Sequence, residues 1–354
     1  MKVYLAGNSQ YLDVWLYIAV LHEQSLLSYH YVENEGKRFW GKTIEDMLRA
    51  NEKVTLFLDS GAFSAWTQKV SIDIHEYIEF IKRNQDHIHV YANLDVIGIG
   101  GKQPNALTAK ATLKNQKIME KAGLKPLPCF HFGEPLEYLD FYVENYDYLA
   151  LGVAGNSGST LIPWFDECFK NHICDEKGFP KIKIHGFAVT SLKLMLRYPF
   201  YSVDSTSWVV TGRMGSIYIP HYKDGIWVYD EQSLKISVSN KSPNMKEAGQ
   251  HFTTFPKKMQ VVILNYIHNK GYVLGQSEYK KVPQTYELKK NEKWFEKKPV
   301  DKSAKREVEI ILEEGISNRY QLRDEMNIIY FMDLEKSMPK YPWSFQKGQN
   351  GLFY

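Results

Sequence analysis

Only three cysteines occur in 354 residues, Cys129, Cys168 and Cys174, and none stands in a CxxC or CxC spacing. That pattern argues against a disulfide scaffold and supplies no thiol framework for a structural zinc site, so a reducing compartment is expected. No stretch approaches 18 uncharged apolar residues, and the opening MKVYLAGNSQ lacks the charged start, apolar run and small-residue cleavage site of a secretory signal. The expected setting is therefore the cytoplasm, with no membrane partner. No GxGxxG follows the first apolar run, which counts against a dinucleotide-binding fold. Internal repeats and low-complexity linkers are also missing.

What is present is a core-forming chain. Hydrophobic residues make up 44% and charged residues 24%, enough for one large domain with an appendage. Aromatic residues reach 14%, with 24 Tyr and 8 Trp, and such side chains fill cores or stack on bases. The net charge of +3 is unevenly spread: residues 1–245 carry 25 basic and 27 acidic side chains, the remainder 19 and 14. Within 278–306, ten Lys or Arg face five acidic groups, among them Lys280, Lys281, Lys289 and Lys290. The gradient suits a chemical body with an appendage that grips a polyanion, although a solvated lysine-rich face gives the same count.

Short β-branched and aromatic runs alternate with helical patterns over the first 200 residues, the signature of a parallel α/β fold. Seven runs are visible, at 2–7, 54–59, 89–95, 127–132, 148–153, 182–187 and 201–204; an eighth is not placed. Ile74, Tyr77, Ile78 and Ile81 recur at helical spacing, and 105–121 reads as another helix. This alternation leaves a closed barrel or an open doubly wound sheet. Beyond 204 the pattern changes to strand, turn, strand, strand around Asp224-Gly225. A domain break is expected near 245, giving a body of 1–245 and a basic, mostly helical region of 246–354, with helices over 305–314 and 320–334.

Three runs end in aspartate, at Asp59, Asp95 and Asp204. In a barrel the carboxyl ends of the strands build the active site. One such Asp caps a helix as readily as it catalyses, but three suit glycosidic chemistry, in which one carboxylate attacks an anomeric carbon and another handles protons. Phe63 and Trp66 offer an aromatic face for a flat ligand. Gly152 and Gly155 permit close backbone approach or simply a tight turn. His131, at another strand end, reads as a structural histidine or a ligand contact.

The segments LDSGAFSAW (58–66), LGVAG (151–155) and VDSTSWVVTGRMGSIY (203–218) together resemble the tRNA-guanine transglycosylase superfamily. The likeness is greatest to its branch that installs 7-deazaguanines in DNA, found in phages and bacterial modification islands. The resemblance spans about 200 residues with drifted motifs. It implies a (β/α)8 TIM barrel and a DNA-guanine transglycosylase that exchanges guanine for a free 7-deazaguanine such as preQ0, with no cofactor. By position, Asp204 would be the nucleophile and Asp59 the general acid/base. Asp95, Ser60, Phe63, Gly152, Val153 and Ala154 would hold the base, and His131 falls where the family has a base-contacting glutamine. Arg213 would lie near phosphate or sugar, with Lys280, Lys281, Lys289 and Lys290 on the nucleic acid. The family's zinc-binding cysteines and Pro-Thr-Arg loop are missing, so no metal is expected and a polymer other than tRNA is favoured. A tRNA substrate, a nucleoside or glycoside hydrolase on the same barrel, and a binding module without turnover stay open as alternatives; a homodimer is compatible with all of them.

Overall fold

The computed structural model describes residues 1–7, 22–31, 53–98, 104–153, 155, 161–242, 248–297, 299–301 and 303–345. The chain divides into two compact units, Met1–Thr206 with Met332–Tyr354, and Ser207–Phe331.

The first unit is built on eight parallel strands: β1 (Lys2–Leu5), β2 (Gln24–Ser28), β3 (Thr55–Asp59), β4 (Ile88–Tyr91), β5 (Cys129–His131), β6 (Tyr148–Gly152), β7 (Lys183–Phe187) and β8 (Ser202–Ser205). Their order in the curled sheet is β4-β3-β2-β1-β8-β7-β6-β5. β4 and β5 stand at the two ends of that order, yet an isolated parallel bridge joins Ala92 to Leu127 just beyond them. Two backbone bonds make that bridge, from Asn93 N–H to the Leu127 carbonyl and from Leu127 N–H to the Tyr91 carbonyl, both 2.8 Å. One apolar cluster draws Tyr4, Leu26, Phe57, Ala92, Cys129 and Ala150 together from six parts of the sheet. Such mixing requires strong curvature, because a flat sheet keeps its outer strands apart.

The seven expected runs are seven of these strands, and the unplaced eighth is β2. Its sequence QSLLS hides an apolar centre between polar ends, and Ser25 is fully buried there. The connecting helices include α1 (Ala62–Thr67), α2 (Ile74–Asn84), α3 (Ala106–Lys121), α4 (Leu136–Asn145), α5 (Leu161–Glu167) and α6 (Leu192–Arg197). α2 buries Tyr77, Ile78 and Ile81 as their spacing requires, and Asp73 caps it by accepting from the N–H groups of His75 and Glu76. α3 opens on Asn105 in a capping box with Thr108.

In the second unit α7 (Ser207–Arg213) leads to β9 (Ser216–Ile219), the hairpin β10 (His221–Lys223) and β11 (Ile226–Val228), and β12 (Leu234–Ser237). Asp224 and Gly225 both have positive φ, as a two-residue hairpin turn demands. α8 (Lys257–Asn269) follows, then an antiparallel sheet β13-β15-β14 of β13 (Gln276–Val282), β14 (Glu292–Trp294) and β15 (Arg306–Glu313), and finally α9 (Tyr320–Ser337), whose last residues return to the first unit.

Two expectations are corrected here. The units divide after β8 rather than near 245, because Ile217, Ile219 and Ile236 share one core with Ile263, Tyr266 and Met326 from later in the chain. The region beyond 245 is not mostly helical, and the helix expected over 305–314 is β15. Its Lys and Glu content looks helical, but pairing with strands on both sides decides its state. Among the described residues no helix is long and apolar enough to cross a membrane.

Candidate active site

At the carboxyl ends of the parallel strands lies a cavity of about 390 Å³, in the range of small-molecule pockets. Asp59, Asp95 and Asp204 all line it, together with Phe63, His131, Gly152 and Val153.

Asp59 ends β3. The chain then turns through Ser60 and Gly61, whose φ of 78° places the backbone in the left-handed region. A side chain at Gly61 would fall 2.4 Å from His30 Cβ, so the turn needs glycine twice over. The Gly61 N–H donates to Asp59 Oδ2 at 3.1 Å. Burial, reinforced by the facing charges of Asp95 and Asp204, pushes the Asp59 carboxyl up to about 8, so at neutral pH it holds a proton.

Asp95 lies four residues beyond β4, past the strand end on which the sequence pattern put it. Ser60 Oγ donates to its Oδ1 at 2.8 Å, and His131 Nε2 lies 2.9 Å from its Oδ2. Ser60 thus orients a carboxylate from below rather than facing a ligand, being fully buried and absent from the cavity wall.

His131 is buried between two carboxylates, with Glu134 Oε2 3.7 Å from Nδ1. Burial opposes its charge, but the hydrogen bond to Asp95 and the charges of Asp95 and Glu134 win and raise it to about 10. It is therefore a fixed imidazolium, paired with Asp95. Glu134, the second polar side chain that the segment 131–134 brings to this strand end, also accepts from the His131 backbone N–H at 2.8 Å and from Thr108 Oγ1 at 3.3 Å.

Gly152 makes room for this histidine. A Cβ there would lie 2.3 Å from His131 Cδ2. Gly152→Ala is expected to push the imidazole off Asp95 and to destabilise the fold by roughly 1–3 kcal/mol. Urea unfolding checks this; wild-type stability would mean the ring yields without loss.

Asp204 is the third residue of β8 and 7% exposed. Its Oδ1 accepts from the Ala188 N–H at 2.8 Å and lies 3.4 Å from His185 Nε2, which leaves Oδ2 engaged by neither. His185, inside the apolar run of β7, is fully buried, and burial lowers its basicity so that the ring is neutral. Sequence reading missed it, although a lone histidine in an otherwise apolar run was the available signal.

Phe63 is 44% exposed at the cavity wall, with Trp66 at 6.0 Å between ring centroids. An exposed phenyl ring beside three carboxylates can stack on a flat ligand.

No known family profile matches the chain, and no curated protein matches it significantly.

None of the remaining expected site residues that are described lines this cavity. Ala154 falls outside the described residues. Arg213 is the exposed last residue of α7 in the second unit, where its charge acts on Asp324. Lys280 and Lys281 are on β13. Lys280 is tied to Glu292 at 2.6 Å, whereas Lys281 and the loop residues Lys289 and Lys290 are exposed. Part of the basic run is thus neutralised within its own sheet. Among the described residues no cluster of His, Cys, Asp and Glu is arranged to hold a metal ion. Cys129, Cys168 and Cys174 are buried free thiols.

Proposed function

We propose that the chain is a base-exchanging glycosyltransferase on a closed (β/α)8 barrel, which replaces guanine in DNA with a free 7-deazaguanine such as preQ0. The bridge between Ala92 and Leu127, at opposite ends of the sheet order, supports closure. The observation that carries the reading is the gathering of three carboxyl groups on one cavity in different states. Asp59 is protonated, Asp95 is locked to an imidazolium, and Asp204 is held through Oδ1 by Ala188 among the described residues.

In the first step Oδ2 of Asp204 attacks C1′, and the bond from C1′ to N9 of guanine breaks. The electron pair stays with the base, and the Asp59 proton goes to it, so that neutral guanine departs and a sugar ester remains. In the second step N9 of the incoming base attacks C1′ while its proton passes to Asp59. The ester bond breaks and Asp204 is restored as carboxylate. Two displacements give net retention. The Asp95 carboxyl oxygens face the N–H groups of a guanine-like edge, and Phe63 stacks on the ring. A duplex target must be flipped or opened to reach such a cavity.

Incubation with labelled guanine and either DNA or tRNA tests the reading. Label entering DNA is expected. Label entering only tRNA would reject the polymer, and abasic product in the presence of ample deazaguanine would favour a hydrolase. If the exposed lysines of the second unit grip about five phosphates, log Kd should change with log salt with a slope of magnitude roughly 4–5. A slope near zero would remove the polyanion from the proposal.

A further inference from the structure

Next to Asp204 a chain of hydroxyl and imidazole groups links β6, β7 and β8. Tyr148 Oη and Ser202 Oγ are 2.6 Å apart, and Ser202 Oγ and His185 Nδ1 2.7 Å apart. His185 Nε2 faces Asp204 Oδ1 at 3.4 Å, a charge-pair distance rather than a formed hydrogen bond, and it has no hydrogen-bond partner among the described residues. Ser202 and His185 are completely buried. The imidazole is enclosed by Phe57 at 4.6 Å and Phe187 at 4.8 Å between centroids, so its plane is set by packing.

Two proton arrangements are conceivable along this chain. In one, His185 carries its proton on Nδ1 and donates to Ser202. Its Nε2 lone pair then points at the lone pairs of the Asp204 carboxylate, a repulsive contact in a site shielded from water. In the other, Tyr148 donates to Ser202, Ser202 donates to Nδ1, and the ring proton sits on Nε2 facing Asp204. Burial raises the Tyr148 hydroxyl well above its ordinary range, so it keeps the proton it must give. Every contact in the second arrangement is attractive.

We propose that His185 is a positioning residue for Asp204: Tyr148 and Ser202 fix its Nε2–H tautomer, and that N–H steadies Oδ1 while Oδ2 is left to attack. A second-layer group of this kind orients a reactive carboxylate without touching substrate. The role assigned to Asp204 rests on the base-exchange reading; the tautomer does not.

The two are therefore tested apart. In the free wild-type protein, ¹⁵N NMR of labelled histidine, with the His185 signal identified by its loss in His185→Gln, should show a neutral ring protonated on Nε2. An Nδ1–H ring or an imidazolium would overturn the proposal whatever the protein catalyses. For the functional half, single-turnover adduct formation is measured at saturating DNA. His185→Ala should lose about 100-fold, and His185→Gln, which restores an N–H near the Nε2 position, should recover at least about tenfold of it. Tyr148→Phe should lose roughly tenfold, with KM for DNA unchanged. Wild-type rates in His185→Ala and Tyr148→Phe, or losses confined to KM, would sink the positioning role. Absence of any exchange by the wild type would instead reject the reaction while the tautomer result stands.

Discussion

Asp204→Ala is expected to abolish the covalent sugar adduct and to lower base exchange by roughly 10⁴-fold or more, while DNA affinity changes by no more than a few-fold. The size follows from the part the carboxylate plays. Removing the nucleophile leaves no second displacement to restore the glycosidic bond, whereas backbone and phosphate contacts to the polymer are untouched. Asp204→Asn is the sharper form of the test, because an amide oxygen can still accept from the Ala188 N–H that now holds Oδ1. The local fold is kept and only the attacking charge is lost. Denaturing gel electrophoresis after incubation with labelled DNA reads the adduct, and filter binding reads the affinity. An adduct that persists in Asp204→Asn would place the nucleophile elsewhere on the cavity wall.

Raising the pH through 8 should switch off guanine departure. The Asp59 carboxyl is pushed up to about 8, chiefly by burial and then by Asp95 and Asp204, so its proton is present at neutrality and lost above that value. If that proton goes to the leaving base, kcat/KM for DNA falls about tenfold per pH unit on the alkaline side. Asp59→Asn should lose exchange by roughly 10²- to 10⁴-fold and should also lose this limb. A limb that survives in Asp59→Asn would belong to another group.

The same shift has a consequence for stability. The folded state holds a proton that the unfolded chain, with an ordinary value of 3.8, releases. Stability from this group is therefore fully present below 3.8 and declines as pH rises towards 8. Asp59→Asn removes the penalty, so its melting temperature relative to wild type should climb by a few degrees between pH 5 and pH 9. A constant difference across that range would mean that Asp59 is already ionised at pH 5.

The approach of Gly152 to His131 shows how such a site escapes a linear reading. LGVAG is as good a tight turn as it is a ligand-binding loop, and nothing in those five letters says that an imidazolium needs the missing Cβ. His131 in turn is a cation only because Asp95 and Glu134 flank it in space. Glu134 is three residues away and could be read from the chain, but Asp95 is 36 residues distant along the chain and lies past the end of another strand. His185 and Ser202 each look like ordinary strand residues until the adjacent pairing of β7 with β8 brings them together.

By itself the sequence determined the alternation of strand and helix, seven of the eight parallel strands, the hairpin at Asp224-Gly225 and the three aspartates at or just past strand ends. Periodicity and turn chemistry act within a few residues of the chain, and so they are written locally. Tertiary structure alone decided that QSLLS is a strand, that 305–314 pairs in a sheet rather than coiling, and that the compact units part after β8. It also decided the protonation of Asp59 and His131. Those outcomes depend on neighbours supplied by distant segments, through hydrogen-bond partners, excluded water and facing charges, and no local pattern encodes them.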